Sequence, residues 1–228
     1  LPAIISSVLL PLFSALRTEK EPGELERIYL RSSRMMLLVV WPGYALLFAL
    51  MPQFLTLWLG GDFGGQGIWP ARLLVCAHAA ALLCFIPNAV SAGRGNPHYV
   101  SGSAWAQAIV SVVAWAVLVP RYGIVGVAAG AALAQISVAF GYLLIAHAYI
   151  LKIPQVRFCR ESLLGPILAT GATLLVGFAV NQWAQDWPRL LLAGAAGLAT
   201  HLGAAWLLLG AGERERVAAA LQGAGAAR

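Results

Sequence analysis

Seven polar side chains interrupt stretches that are otherwise almost wholly apolar: His78, Asn88, Gln107, Gln135, His147, Asn181 and His201. Imidazoles and carboxamides both donate and accept hydrogen bonds, so such groups can hold a hydroxylated or anionic ligand. An unpaired polar group in hydrocarbon costs roughly several kcal/mol, so each must face a neighbouring helix or a wet cavity. His78, Asn88 and Gln107 are the candidates for lining a substrate cavity, joined by Arg94 at a basic turn. For each, a contact between helices is the competing role. Catalysis would need more. Asp62, Glu161 and Asp186 stand apart, no two acidic residues outside the first connector and the tail are close in sequence, and no serine motif occurs. Cys76, Cys84 and Cys159 have no metal-ligand spacing and suit small packing positions. The sequence therefore implies no metal, no cofactor and no enzyme.

The stretches that must position these residues fix the solvent. Of 228 residues, 60% are hydrophobic and only 11% charged, with a mean hydropathy of +0.78. Soluble domains carry about a quarter charged residues. Apolar blocks are read at 1–16, 35–59, 71–93, 99–119, 124–151, 162–183 and 190–211. All but the first hold about 20 or more residues, enough to cross a hydrocarbon core of about 30 Å as α-helix. Backbone groups in lipid must be satisfied within the segment, so these blocks are helices, and the short alternating strands of a barrel are missing. The fold expected is all-α: a polytopic transmembrane bundle of about seven helices. The net charge of +6 does not mark a nucleic-acid binder, because the basic residues lie between apolar blocks.

Those basic residues instead give sidedness. Arg17, Lys20, Arg27, Arg31, Arg34, Arg94, Lys152, Arg157, Arg160, Arg214, Arg216 and Arg228 fall on one side; Arg72, Arg121 and Arg189 fall on the other. The first side is expected to be cytoplasmic, in a multi-pass protein of the inner membrane with a cytoplasmic tail over 212–228. Block 1–16 would then enter from outside with nothing before it, so the chain is expected to lack upstream helices. Residues 17–34 read as a charged connector, with helical spacing of Leu25, Ile28 and Tyr29 as the alternative. The glycine-rich run 60–67 reads as an outer loop. Pro11, Pro42, Pro87 and Pro166 should break helices and free carbonyls that neighbours or water must satisfy. Gly126 and Gly130, four apart, suit a close helix–helix approach.

Four stretches, in this order, carry a resemblance: Leu10-Pro11-Leu12-Phe13-Ser14; Leu57-Trp58-Leu59-Gly60 with Phe63; Gly93-Arg94-Gly95-Asn96-Pro97; and Val119-Pro120-Arg121-Tyr122-Gly123-Ile124-Val125-Gly126-Val127-Ala128. Over about residues 1–150 the chain resembles the C-terminal half of the polysaccharide transporter family, in the multidrug/oligosaccharidyl-lipid/polysaccharide exporter superfamily. The resemblance implies one lobe of a larger two-lobed transporter that rocks about a central cavity. It implies an activity, flipping a polyprenyl-pyrophosphate-linked oligosaccharide by alternating access for surface polysaccharide biosynthesis. It implies partners too: the bilayer, the lipid-linked glycan, and a polysaccharide polymerase or chain-length protein. On this reading 1–151 is the transporter lobe and 152–211 an additional helix pair. Two alternatives stay open, a drug or small-molecule exporter of the same superfamily and a membrane-embedded enzyme or scaffold of a polysaccharide synthesis complex.

Overall fold

The computed structural model describes residues 23–208, apart from the side chains at 62–64. Block 1–16, the Leu10–Ser14 motif and the tail lie outside the described residues. Within them every regular element is helical, and five helices are long and apolar enough to cross a membrane. That is fewer than the expected count of about seven, and one of the five is bent back on itself. The protein is therefore a membrane protein by its helices.

Helix α1 runs Glu24–Leu59. Its 36 residues span about 54 Å, well beyond a hydrocarbon core. The charged stretch 24–34 is thus neither a solvated connector nor a separate interfacial helix, but the first turns of α1. Leu25, Tyr29 and Leu30 are buried along one face of it, which is the apolar spacing that holds it to the bundle. Gly60, at φ 86°, ends α1, and α2 starts at once, Gly61–Ala81. The glycine-rich run is therefore mostly helix, and only Gly60 makes the turn. A 3₁₀ turn at Leu82–Cys84 joins α2 to α3, Phe85–Gly93. It sits just before Pro87, whose missing N–H withdraws a donor from the Leu83 carbonyl.

Helix α4, Pro97–Ile145, holds a glycine with non-helical backbone, Gly123 at φ 54° and ψ −128°. Only glycine takes up that conformation readily. The two arms fold together there as a hairpin, matching the separate blocks 99–119 and 124–151. Along the seam a Cβ on Gly126 would collide with the Leu118 carbonyl, and one on Gly130 would lie 2.6 Å from the Trp115 ring. Trp115 Nε1–H donates to Val127 O at 2.9 Å across it. A π-helical turn, Ala146–Leu151, closes the second arm, and Lys152 ends it in the left-handed region at φ 55°. The short α5, Gln155–Phe158, leads to α6, Leu164–Asn181, and then α7, Trp187–Leu208.

Helix α1 packs along α2, α6 and α7, while α2 packs along α4. The pair α6–α7 shares its core with α1: a Cβ on Gly177 would meet Ala49 at 2.7 Å, and one on Gly197 would meet Leu46. Connections alternate between two ends of the bundle. One end carries exposed Trp58, Trp69, Trp183 and Trp187, the distribution of an interfacial aromatic belt. The other carries Arg27, Arg31, Arg94, Arg157 and Arg160.

The prolines of α1 explain its cross-links. Pro42 cannot donate to Leu38 O, and Pro52 cannot donate to Phe48 O. His201 Nε2–H of α7 donates to Leu38 O at 2.8 Å, and Arg72 Nε–H of α2 donates to Phe48 O at 3.0 Å. Each orphaned carbonyl is met by a side chain from another helix, as the hydrocarbon requires.

Candidate functional site

Between the α4 hairpin and the rest of the bundle lies a cavity of about 200 Å³. Three elements build it, each by helical spacing. Cys84, Phe85 and Asn88 project from the 3₁₀ turn and α3; Ser103 and Gln107, four apart, from the first arm; Gln135, Val138, Ala139 and Tyr142 from the second. The polar groups of the wall are amides, hydroxyls and one thiol, set among Phe85, Val138 and alanines, with no charged side chain.

Its hydrogen bonds are partly spent. Gln107 Nε2–H reaches Gln135 Oε1 at a long 3.4 Å, which leaves both carboxamides with unused capacity. Cys84 Sγ–H donates to Ala139 O at 3.3 Å and Ser103 Oγ–H to Val100 O at 2.7 Å. The Tyr142 and Ser91 hydroxyls lie 2.8 Å apart, which fixes the phenol at the cavity's edge. Asn88 Oδ1 is buried and has no partner. A buried orphan acceptor is uncommon, and this one belongs to a residue of the cavity wall. The cavity can thus bind a neutral, hydroxyl-rich group through about four side chains; it supplies no cation for a phosphate.

Of the candidates read from the sequence, the structure brings Asn88 and Gln107 together and leaves the other two elsewhere. His78 is exposed on α2, and its Nδ1–H donates to Leu74 O of the same helix at 2.8 Å. Ten residues separate His78 from Asn88, and the intervening 3₁₀ turn alters the register. Arg94 is half-buried, and its Nη1–H donates to Ile150 O at 3.0 Å, so it closes off the π-helical turn. Gly126 and Gly130 lie on the hairpin seam, where they let the two arms approach. Sequence reasoning did not find Ser103, Tyr142 or Cys84 as cavity residues. Ser103 could have been found, since it precedes Gln107 by one turn.

A second polar constellation is structural. Tyr29 O–H donates to His147 Nε2 at 2.6 Å, and His147 Nδ1–H donates to Gln155 Oε1 at 2.7 Å. The Phe158 ring centroid lies 4.6 Å from that of His147. This buried chain ties α1 to the end of α4 and to α5, so His147 is not an interface residue but a core one.

No protein-family model, curated protein or solved structure matches this chain.

Proposed function

We propose that this chain is part of a flippase for polyprenyl-pyrophosphate-linked oligosaccharides, working in surface polysaccharide biosynthesis at the cytoplasmic membrane. The observation that carries the reading is the uncharged polar cavity, with Asn88 Oδ1 unpartnered, among helices that are otherwise apolar. Carboxamides and hydroxyls pair with sugar hydroxyls at little desolvation cost compared with charges. The family resemblance of residues 10–14, 57–63, 93–97 and 119–128 supports the same reading.

On this proposal the arginine-rich end faces the cytoplasm, in line with the positive-inside rule. The chain contributes one lobe, the seven-helix count includes block 1–16, and the cavity faces the opposing lobe. A lipid tail stays in the bilayer while the glycan crosses through the polar path. A polymerase or chain-length protein then receives the flipped unit outside.

Deletion of the gene tests this. The expected outcome is loss of surface polysaccharide with lipid-linked units accumulating on the cytoplasmic leaflet. Intact polymer with new sensitivity to cationic drugs would instead identify an exporter of the same superfamily.

A further inference from the structure

A second feature, which shares no lining residue with the polar cavity and is independent of the flippase reading, lies between α1, α2 and α6. An open groove of about 280 Å³ is lined by Trp41, Phe48, Val75, Cys76 and Leu174, among others. Trp41 has already spent its indole N–H on Ala79 O at 2.9 Å, so it offers the groove an apolar face. From Trp41 to Phe48 the groove follows α1 for about 10 Å toward the tryptophan-rich end.

Arg72 sits at that end. Its guanidinium carbon lies 5.0 Å from the Phe48 ring centroid, 5.9 Å from Trp69 and 5.8 Å from Phe178. Its Nε–H is held by Phe48 O, and among the described residues neither Nη group has an acceptor. Trp69, exposed in the aromatic belt, is one turn from Arg72, so a headgroup at that level is within the arginine's reach. Ring faces and one carbonyl fix the cation without neutralising it. The two Nη groups form the fork that matches phosphate oxygens.

We propose that this groove and Arg72 form a binding site for an anionic glycerophospholipid, its phosphate on the Arg72 Nη groups and one acyl chain along Phe48 and Trp41. A cation fixed one turn from the exposed Trp69 and beside an apolar groove complements such a lipid in both charge and polarity, which a bare apolar helix face would not.

Native mass spectrometry of the detergent-purified full chain tests it, with dioleoyl phosphatidylglycerol and dioleoyl phosphatidylcholine titrated separately. Wild type should prefer phosphatidylglycerol by about fivefold, the effect of one near-surface cation. Arg72→Gln should bring the two lipids to parity, and Arg72→Lys should keep the preference. Cys76→Trp leaves Arg72 and its bond to Phe48 in place but fills the groove, so it should weaken both lipids. Equal binding by wild type, or a preference that survives Arg72→Gln, would overturn the proposal. So would undiminished binding in Cys76→Trp, displacement by inorganic phosphate alone, or stronger binding of a polyprenyl phosphate than of phosphatidylglycerol.

Discussion

Helix α1, with two prolines inside it, and the α4 hairpin, bent at one glycine, are both apolar, yet they are held in different ways. In the most apolar window of α1, 44% of residues are buried inside the protein; in that of α4, 11% are. Helix α1 packs along α2, α6 and α7 and touches further elements at its first turns, and the carbonyl freed by each of its prolines is met by a side chain from a partner, His201 or Arg72. The hairpin turns on one glycine, Gly123, and closes on two more, Gly126 and Gly130, with Trp115 as its cross-strut. The bundle around α1 is fixed by polar cross-links, and the hairpin by close backbone approach. The polar cavity lies where the two regimes meet: one wall belongs to the bundle around α1 and the other to the hairpin, joined by Cys84 to Ala139 O and by Ser91 to Tyr142.

The largest effect expected is at the hairpin seam. Gly126→Ala sets a methyl group against the Leu118 carbonyl, a backbone atom, and overpacking of that kind costs about 1–3 kcal/mol. Gly197→Ala in α7 meets only the tip of Leu46, a side chain that can swing. Thermal unfolding in detergent, followed by tryptophan fluorescence, should show a clear loss for Gly126→Ala and a much smaller one for Gly197→Ala. Equal losses would break the contrast between the two regions.

A double-mutant cycle sharpens the other side. His201→Phe orphans Leu38 O and should cost about 1 kcal/mol, within the range for hydrogen bonds between membrane helices. Pro42→Ala restores an N–H at the position that Leu38 O lacks, so His201→Phe should cost less in that background. The same apparent cost in both backgrounds would show that His201 is not answering the proline. Tyr29→Phe removes the donor to His147 Nε2 and should cost roughly 1 kcal/mol or less. The smallest effect belongs to Glu26, 2.6 Å from Arg157 Nη1 on the surface. Glu26→Gln should leave the melting temperature within error at physiological salt, since exposed ion pairs are screened.

The sequence shows the helices and their breaks well. Length and composition mark the apolar blocks, prolines mark where carbonyls are freed, and Gly126-x-x-x-Gly130 marks a close approach. What answers each break is not legible, because His201 lies 163 residues from Leu38 and no local pattern links them. Arg72 reads as a topology residue at a block edge, and only the fold places its Nε on Phe48 O. Residues 24–34 and 61–67 differ from the expectation for separate reasons. At 24–34 charge lowers hydropathy but not helix propensity, since Glu and Arg are good helix formers, and Leu25, Tyr29 and Leu30 bury one face of the stretch. At 61–67 glycine lowers helix propensity, yet the stretch, with Gly61, Gly65 and Gln66 exposed, forms the first turns of a helix whose later turns pack along α1 and α4. In the site, Asn88 and Gln107 stand out because amides are rare in lipid. His78 stands out equally and lies on the wrong face, since the 3₁₀ turn at Leu82–Cys84 shifts the register between it and Asn88.

The central claim is that a neutral polar cavity beside the hairpin handles a glycan. The direct measurement is surface polysaccharide in cells whose only copy carries Gln107→Leu with Gln135→Leu, at matched protein level and melting temperature. Two lost sugar contacts at about 0.5–1.5 kcal/mol each predict a fall of at least about fivefold, with lipid-linked units retained on the cytoplasmic leaflet. Wild-type polymer levels in that strain would contradict the account.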